Sequence, residues 1–136
     1  MKMQVVKKDS KYYGKLPDTG WIDMSSYINT ENFAARPGLP PQVRKIGNVI
    51  YWRGEVYCIK AISSTQAQIL KNIPSRYKPT IQVSGGSMQF GNQKVYSMFL
   101  DPNASAIYAK TSDSSIAVAQ QYGGFALDCI SGYTTD

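Results

Sequence analysis

The chain has 136 residues, of which 43% are hydrophobic and 18% are charged, and it contains no histidine. This length matches one domain with one core, and the hydrophobic content argues against a wholly disordered chain. The missing histidine removes the commonest general base, the usual catalytic triad and most zinc sites.

The net charge of +6 is concentrated at the N-terminus. Residues 1–15 hold five lysines and one aspartate, whereas the rest of the chain is nearly balanced. This distribution is more typical of a solvated arm than of a nucleic-acid groove, so we expect no nucleic-acid partner. Residues 1–19 are predicted to be a basic connector and residues 20–136 the folded domain. No apolar run approaches the ~20 residues of a membrane helix, so we expect no membrane partner.

Two segments precede the most regular part of the sequence. Residues 21–24 have the pattern of a short strand that would bury Trp21 or Ile22. Residues 29–41 contain three prolines and a glycine, which predicts a long loop.

Residues 43–60, VRKIGNVIYWRGEVYCIK, organise the predicted fold. From residue 49 onward, apolar residues alternate with polar ones, which predicts a long strand with one buried face. That face consists of Ile50, Trp52, Gly54, Val56 and Cys58. The upstream Gly47-Asn48 pair accepts positive φ, so residues 43–45 are predicted to fold back as a hairpin.

The remainder reads as many short strands separated by turns. Strands are predicted at residues 67–70, 80–83, 87–90, 94–100, 105–110, 116–120 and 125–130, with Gly85-Gly86 as one of the turns. The sequence therefore predicts an all-β protein, an antiparallel β-sandwich of jelly-roll-like or Greek-key type. The strand at residues 94–100 is apolar on both faces, so its second face is covered either by a loop or by another copy of the chain.

Catalytic chemistry finds little support in the sequence. Cys58 and Cys129 fall at apolar positions, where an inert thiol is the usual outcome and a disulfide the alternative. A glycosidase needs two carboxylates, but Asp101 is predicted to lie in a turn at the opposite end of the sheet from Asp113, and Asp128 on a strand. Glu55 is expected to pair with Arg53. We therefore expect no enzyme activity, no catalytic residue, no metal and no cofactor.

A binding surface is the remaining possibility. Ten tyrosines and two tryptophans suit saccharides, because a ring packs on the C–H face of a sugar while nearby polar groups bond its hydroxyls. If Ile107 points inward, Tyr108 points outward, beside the turns at residues 101–104 and 121–124. The candidate ligand-binding residues are Asp101, Asn103, Tyr108, Gln121 and Tyr122, although turns also collect polar residues without any ligand.

The order of several segments resembles that of the C-terminal receptor-binding head domains of tail and baseplate proteins from siphophages of Gram-positive bacteria. These segments are Gly20-Trp21-Ile22, residues 43–50, Gly54-Glu55-Val56, residues 73–79 (IPSRYKP) and Gly132-Tyr133-Thr134. The resemblance covers residues 20–136 and transfers no sugar-contacting residue, because those residues vary in the family.

This resemblance implies a homotrimeric β-sandwich in the phage virion, at the tail tip or baseplate, assembled in the bacterial host cytoplasm. Its implied function is adhesion to a host cell-wall polysaccharide or teichoic acid without catalysis, with trimerisation adding avidity. Its other implied partners are further copies of itself and other tail or baseplate proteins. Since fold does not determine function, a structural tail domain that binds other tail proteins is the alternative.

Overall fold

The computed structural model describes residues 16–60, 62, 65–89, 94–111 and 124–134. These residues form eleven strands in three antiparallel sheets, with short 3-10 helices and no α-helix. The strands are β1 (Ile22–Asp23), β2 (Phe33–Ala35), β3 (Gln42–Ile46), β4 (Val49–Arg53), β5 (Glu55–Cys58), β6 (Gln66–Leu70), β7 (Val83–Gln89), β8 (Lys94–Asp101), β9 (Ala106–Lys110), β10 (Gly124–Ala126) and β11 (Tyr133–Thr134). The predicted all-β sandwich is confirmed.

The three sheets enclose one hydrophobic core. The hairpin sheet has the strand order β1-β3-β4-β11, the small sheet β10-β5-β2 and the meander sheet β6-β9-β8-β7. The hairpin sheet contributes Val43, Ile50 and Trp52 to this core, and the largest fully buried side chains come from the other two sheets and the connections. They include Met24, Phe33, Ile69, Leu70, Tyr77, Tyr96, Met98, Leu100, Ile107, Phe125 and Leu127. No helix in the described ranges is long and apolar enough to cross a bilayer.

The hairpin at β3 and β4 is confirmed. Ile46 pairs with Val49 across the turn and Val43 pairs with Trp52, while Gly47 has the positive φ that the turn requires, +59°. Along β4 the burial alternates as predicted, so Trp52 lies in the core and its neighbour Tyr51 is exposed.

The long strand predicted for residues 49–58 is interrupted at Gly54. β4 belongs to the hairpin sheet and β5 to the small sheet, so the chain changes sheets at this residue. The apolar face predicted for β5 is nevertheless buried, with Val56 and Cys58 almost fully inaccessible. Gly54 has a φ of +95°, and a Cβ there would lie 2.0 Å from the Pro40 carbonyl oxygen. The corner therefore requires glycine.

The predicted ion pair between Arg53 and Glu55 does not form, because the chain changes sheets between them. Glu55 Oε1 instead accepts a hydrogen bond from Arg36 Nη1 at 2.6 Å. Arg53 donates from Nε to Gln42 Oε1 at 2.7 Å, and its guanidinium lies 4.0 Å from the centre of the Trp21 ring. The two residues diverge because they belong to strands of different sheets.

The segment predicted as a loop, residues 29–41, contains β2. Phe33 of β2 pairs with Cys58 of β5 and is 1% exposed. Its ring makes an edge contact with Phe125, with the ring centres 6.3 Å apart. The prediction of an uninterrupted loop was therefore wrong, because burying one aromatic ring in the core orders three residues that have no periodic pattern.

The turn predicted at Gly85-Gly86 is also wrong. Both glycines lie inside β7, where Gly85 pairs with Met98 and Gly86 with Ser97, so the two short strands predicted around them are one strand. A Cβ at Gly85 would lie 2.3 Å from the Cys129 carbonyl oxygen. This glycine therefore serves close packing rather than chain reversal.

The strand predicted at residues 125–130 is replaced by two elements. β10 ends at Ala126, and a 3-10 helix follows at Asp128–Ile130. Asp128 therefore lies at the start of this helix and not on a strand. The strand predicted at residues 116–120 and most of the basic connector lie outside the described residues.

Candidate functional site

The structure brings three of the five predicted ligand-binding residues to one end of the meander sheet. Asp101 ends β8, Asn103 lies in the turn that follows, and Tyr108 lies on β9. Gln121 and Tyr122 are outside the described residues, and their role stays a prediction. Phe125, which follows them, packs on Tyr96 with the ring centres 4.9 Å apart.

Asp101 acts as a local cap for this turn. Its Oδ1 accepts hydrogen bonds from the backbone N–H of Asn103 at 2.9 Å and of Ala104 at 3.4 Å. Lys78 Nζ fastens the same turn by donating to the Pro102 carbonyl at 3.1 Å and to Ser105 Oγ at 2.8 Å. The turn is thus held in one conformation, and Asn103 is exposed at its tip.

Tyr108 belongs to an aromatic pair on the outer face of the meander sheet. Ile107 is buried and Tyr108 points outward, as the alternation predicts. Tyr108 lies directly opposite Phe99 of β8, and the two rings stack with centres 5.1 Å apart and planes at 18°. Cross-strand stacking of this kind fixes the ring of Tyr108 before any ligand arrives.

The aromatic pair lies within a row that crosses all four strands. Gln68 of β6 pairs with Tyr108, and Ser84 of β7 pairs with Phe99. Side chains in register on one face of a sheet stand roughly 5 Å apart. The row therefore presents an amide, two aromatic rings and a hydroxyl along one line.

A groove of about 610 Å³ adjoins this row, and we call it the outer groove. It is lined by Gly85, Gly86, Val95, Tyr96, Ser97, Lys110 and Thr111. Ser97 pairs with Gly86 on one side and with Lys110 on the other. Because Gly86 has no side chain, it leaves a depression in the sheet face beside the exposed Ser97 hydroxyl and Lys110 ammonium. The groove has the size of sites for small polar ligands.

Neither cysteine of the chain is a reactive nucleophile. Both cysteines are free thiols, and burial raises the pKa of Cys58 to about 12 and also raises the pKa of Cys129. A thiol with so high a pKa is a poor nucleophile at neutral pH. In the same part of the chain, no group of three or more Cys, Asp or Glu side chains is placed to hold a metal ion.

Sequence reasoning predicted that Tyr108 points outward but not which residues lie beside it. Phe99, Ser97 and Lys110 were not among the predicted site residues, because bringing them beside Tyr108 requires the register of three strands. The outward position of Phe99 on β8 was available from alternation alone, but its partner was not.

Comparisons with protein-family models and with curated proteins find no match for this chain. The functional argument therefore depends on the residues and on the geometry of the outer face.

Proposed function

We propose that the protein is a non-catalytic saccharide-binding head domain of a phage tail, and that it binds host cell-wall polysaccharide or teichoic acid at the outer face of the meander sheet. The observation that carries this proposal is the aromatic pair of Tyr108 and Phe99 beside the outer groove. The phage assignment comes from the ordered sequence segments that resemble siphophage head domains.

The chemistry of this face suits a sugar. The C–H side of a pyranose packs on an aromatic ring, and its hydroxyls need donors and acceptors placed around that ring. The Tyr108 hydroxyl and Asn103 would serve one end of the ligand, while Ser97 and Lys110 would serve the other. A ring already held by stacking loses little side-chain entropy on binding, which favours affinity.

The direct test is sedimentation of the labelled protein with purified Gram-positive cell walls, before and after wall polysaccharides and teichoic acids are chemically stripped. We expect the protein to pellet with intact walls and to stay in solution with stripped walls. Absence of binding across a broad panel of walls would contradict the proposal and favour the structural tail domain, whose partners are other tail proteins.

In the same assay, Tyr108→Ala is expected to weaken wall binding by about tenfold or more, because a buried aromatic contact contributes at least 1–2 kcal/mol. Tyr108→Phe keeps the ring and should retain most of the binding. The matched control is Tyr51→Ala, which removes an exposed tyrosine from the hairpin sheet and should bind as the wild type. If the Tyr108→Ala protein binds walls as tightly as the wild type, the site does not lie on this face.

The supernatant of that assay also tests the absence of catalysis. Two carboxylates, Glu55 and Asp128, line one cleft of the molecule, although Arg36 engages Glu55. We expect no time-dependent release of reducing sugar from the walls. If the wild-type protein releases reducing sugar and a Glu55→Gln or Asp128→Asn variant does not, the protein is a glycan hydrolase and the proposal is wrong.

The proposal includes a homotrimer, and its support is the apolar side of β8 that faces away from the core. Val95 is 67% exposed on the same face as Phe99 and also lines the outer groove, so the proposed trimer would place the saccharide site where copies of the chain meet. Light scattering at micromolar concentration is expected to give three times the 15.1 kDa chain mass. Val95→Lys should lower that mass without unfolding the protein, since the side chain is not part of the core. A monomeric wild-type chain would contradict the trimer.

A further inference from the structure

A second cleft lies at the corner where the chain passes from the hairpin sheet to the small sheet, and we call it the corner cleft. Its volume is about 470 Å³, and it is lined by Leu39, Arg53, Gly54, Glu55, Ala126 and Asp128. A smaller hollow of about 180 Å³, lined by Gly38, Leu39, Pro40, Gln42, Arg53 and Gly54, continues it. Arg53 lines both hollows, and its side chain is bonded to Gln42, which lines the smaller one.

Backbone hydrogen bonds fix both walls of the corner cleft. On one side, Glu55 N–H donates to the Leu39 carbonyl at 2.9 Å, and Arg36 N–H donates to the Glu55 carbonyl at 3.0 Å. On the other side, Leu127 N–H donates to the Gly54 carbonyl at 3.0 Å. The cleft is therefore a product of the fold rather than of loose surface side chains.

Arg53 differs from the two other arginines in this region because, in the part of the chain that the structure describes, no acidic side chain pairs with it. Arg44 forms a two-point contact with Asp18, at 2.9 Å through Nε and 2.6 Å through Nη2, and this contact lowers the pKa of Asp18 to about 2. Arg36 pairs with Glu55. Among the described residues, the terminal nitrogens Nη1 and Nη2 of Arg53 have no hydrogen-bond partner.

The rest of the Arg53 side chain is held in place. Its Nε donates to Gln42 Oε1 at 2.7 Å, and its guanidinium lies over the Trp21 ring at 4.0 Å. These two contacts orient the planar group and leave its Nη1 and Nη2 edge available. Such an edge matches the paired oxygens of a carboxylate or a phosphate.

We propose that Arg53 binds the oxyanion of a small acidic ligand, a carboxylate or a phosphate ester, whose uncharged body occupies the corner cleft. The exposed residue Asp128, which lines the cleft as well, repels a second negative group and favours hydroxyl donors at its side. The ligand is thereby oriented, with its acidic group at Arg53 and its donors toward Asp128. This site is separate from the outer groove and does not depend on the saccharide function proposed there.

The test is calorimetric titration of the full-length protein, at low salt, with three probes of similar size: glycerol 3-phosphate, methyl glucuronide and the neutral methyl glucoside. We expect at least one acidic probe to bind, and the neutral probe to bind at least about tenfold more weakly, because a charge-assisted hydrogen bond is replaced by a neutral one. Binding of an acidic probe should quench tryptophan fluorescence, since Trp21 lies under the guanidinium.

Two variants of Arg53 and one control variant decide whether Arg53 is responsible. Arg53→Gln should weaken binding of the acidic probe about tenfold or more, whereas Arg76→Gln, which removes an exposed arginine that lies over Tyr77, should leave it unchanged. Arg53→Lys keeps the charge without the planar fork and should fall between them. Thermal melts confirm that each variant is folded. Three results would overturn the proposal. The folded Arg53→Gln protein could bind the acidic probe as tightly as the wild type, or the wild type could bind the neutral probe as tightly as an acidic one. The third result is that neither acidic probe binds at about 10 mM.

Discussion

Replacing Trp52 by alanine is expected to lower the free energy of unfolding by about 3–5 kcal/mol. The indole is 2% exposed, in the core beneath the hairpin sheet. Its removal costs the transfer free energy of a large aromatic group and leaves a cavity that the surrounding strands fill only in part. Urea denaturation followed by circular dichroism measures the loss.

The hydrogen bonds of Trp52 to Ser131 involve only its backbone atoms, so the expected loss of stability comes from the indole. Ser131 Oγ accepts the Trp52 N–H at 2.6 Å and donates to the Trp52 carbonyl at the same distance, and both bonds persist in the alanine variant. The neighbouring Tyr51→Ala is the control, since Tyr51 points to the opposite face and is 36% exposed. It should cost less than about 1 kcal/mol. Similar losses for the two variants would mean that the faces of β4 are wrongly assigned.

The hairpin was predictable because two independent signals agree within a few residues. Strict alternation from Val49 to Arg53 assigns the faces of the strand, and Gly47 supplies the positive φ that fixes the turn and therefore the register. Agreement between pattern and turn chemistry is what makes a local sequence specify a local structure.

Failures occurred where long-range packing decides the local structure. Gly85-Gly86 has the composition of a turn, yet β8 pairs with both residues and the Cys129 backbone approaches Gly85. Phe33 has no alternating neighbours, but its ring reaches the core between β5 and Phe125. Neither contact has a local signal in the sequence.

The two candidate sites also combine features that the local sequence predicts with features that depend on long-range packing. The outward position of Tyr108 followed from the parity of β9, whereas its stacking on Phe99 depends on the register between β8 and β9. The corner cleft was not predictable at all. Reading residues 49–58 as one strand placed Arg53 and Glu55 on a common face, and the change of sheet at Gly54 separates them.

Gly54→Ala is expected to destabilise the protein by more than about 3 kcal/mol, or to prevent folding. The substitution combines two costs. A φ of +95° is strained for any residue with a Cβ, and that Cβ would lie 2.0 Å from the Pro40 carbonyl oxygen and 2.6 Å from its carbonyl carbon. These are backbone atoms, so no side-chain rotation relieves the overlap.

Gly38→Ala separates the clash from the backbone strain. Gly38 lies in the same connecting segment with a φ of +80°, but a Cβ there has no atom within 4 Å. Backbone strain alone should therefore lower the free energy of unfolding, by about 1–2 kcal/mol. Urea denaturation of both variants, with soluble yield as a second readout, gives the difference. Equal stability of the two would mean that the 36–41 segment moves away from Gly54 at little cost. Because Leu39 and Pro40 line the smaller hollow that continues the corner cleft, that movement would also widen the hollow beside Arg53.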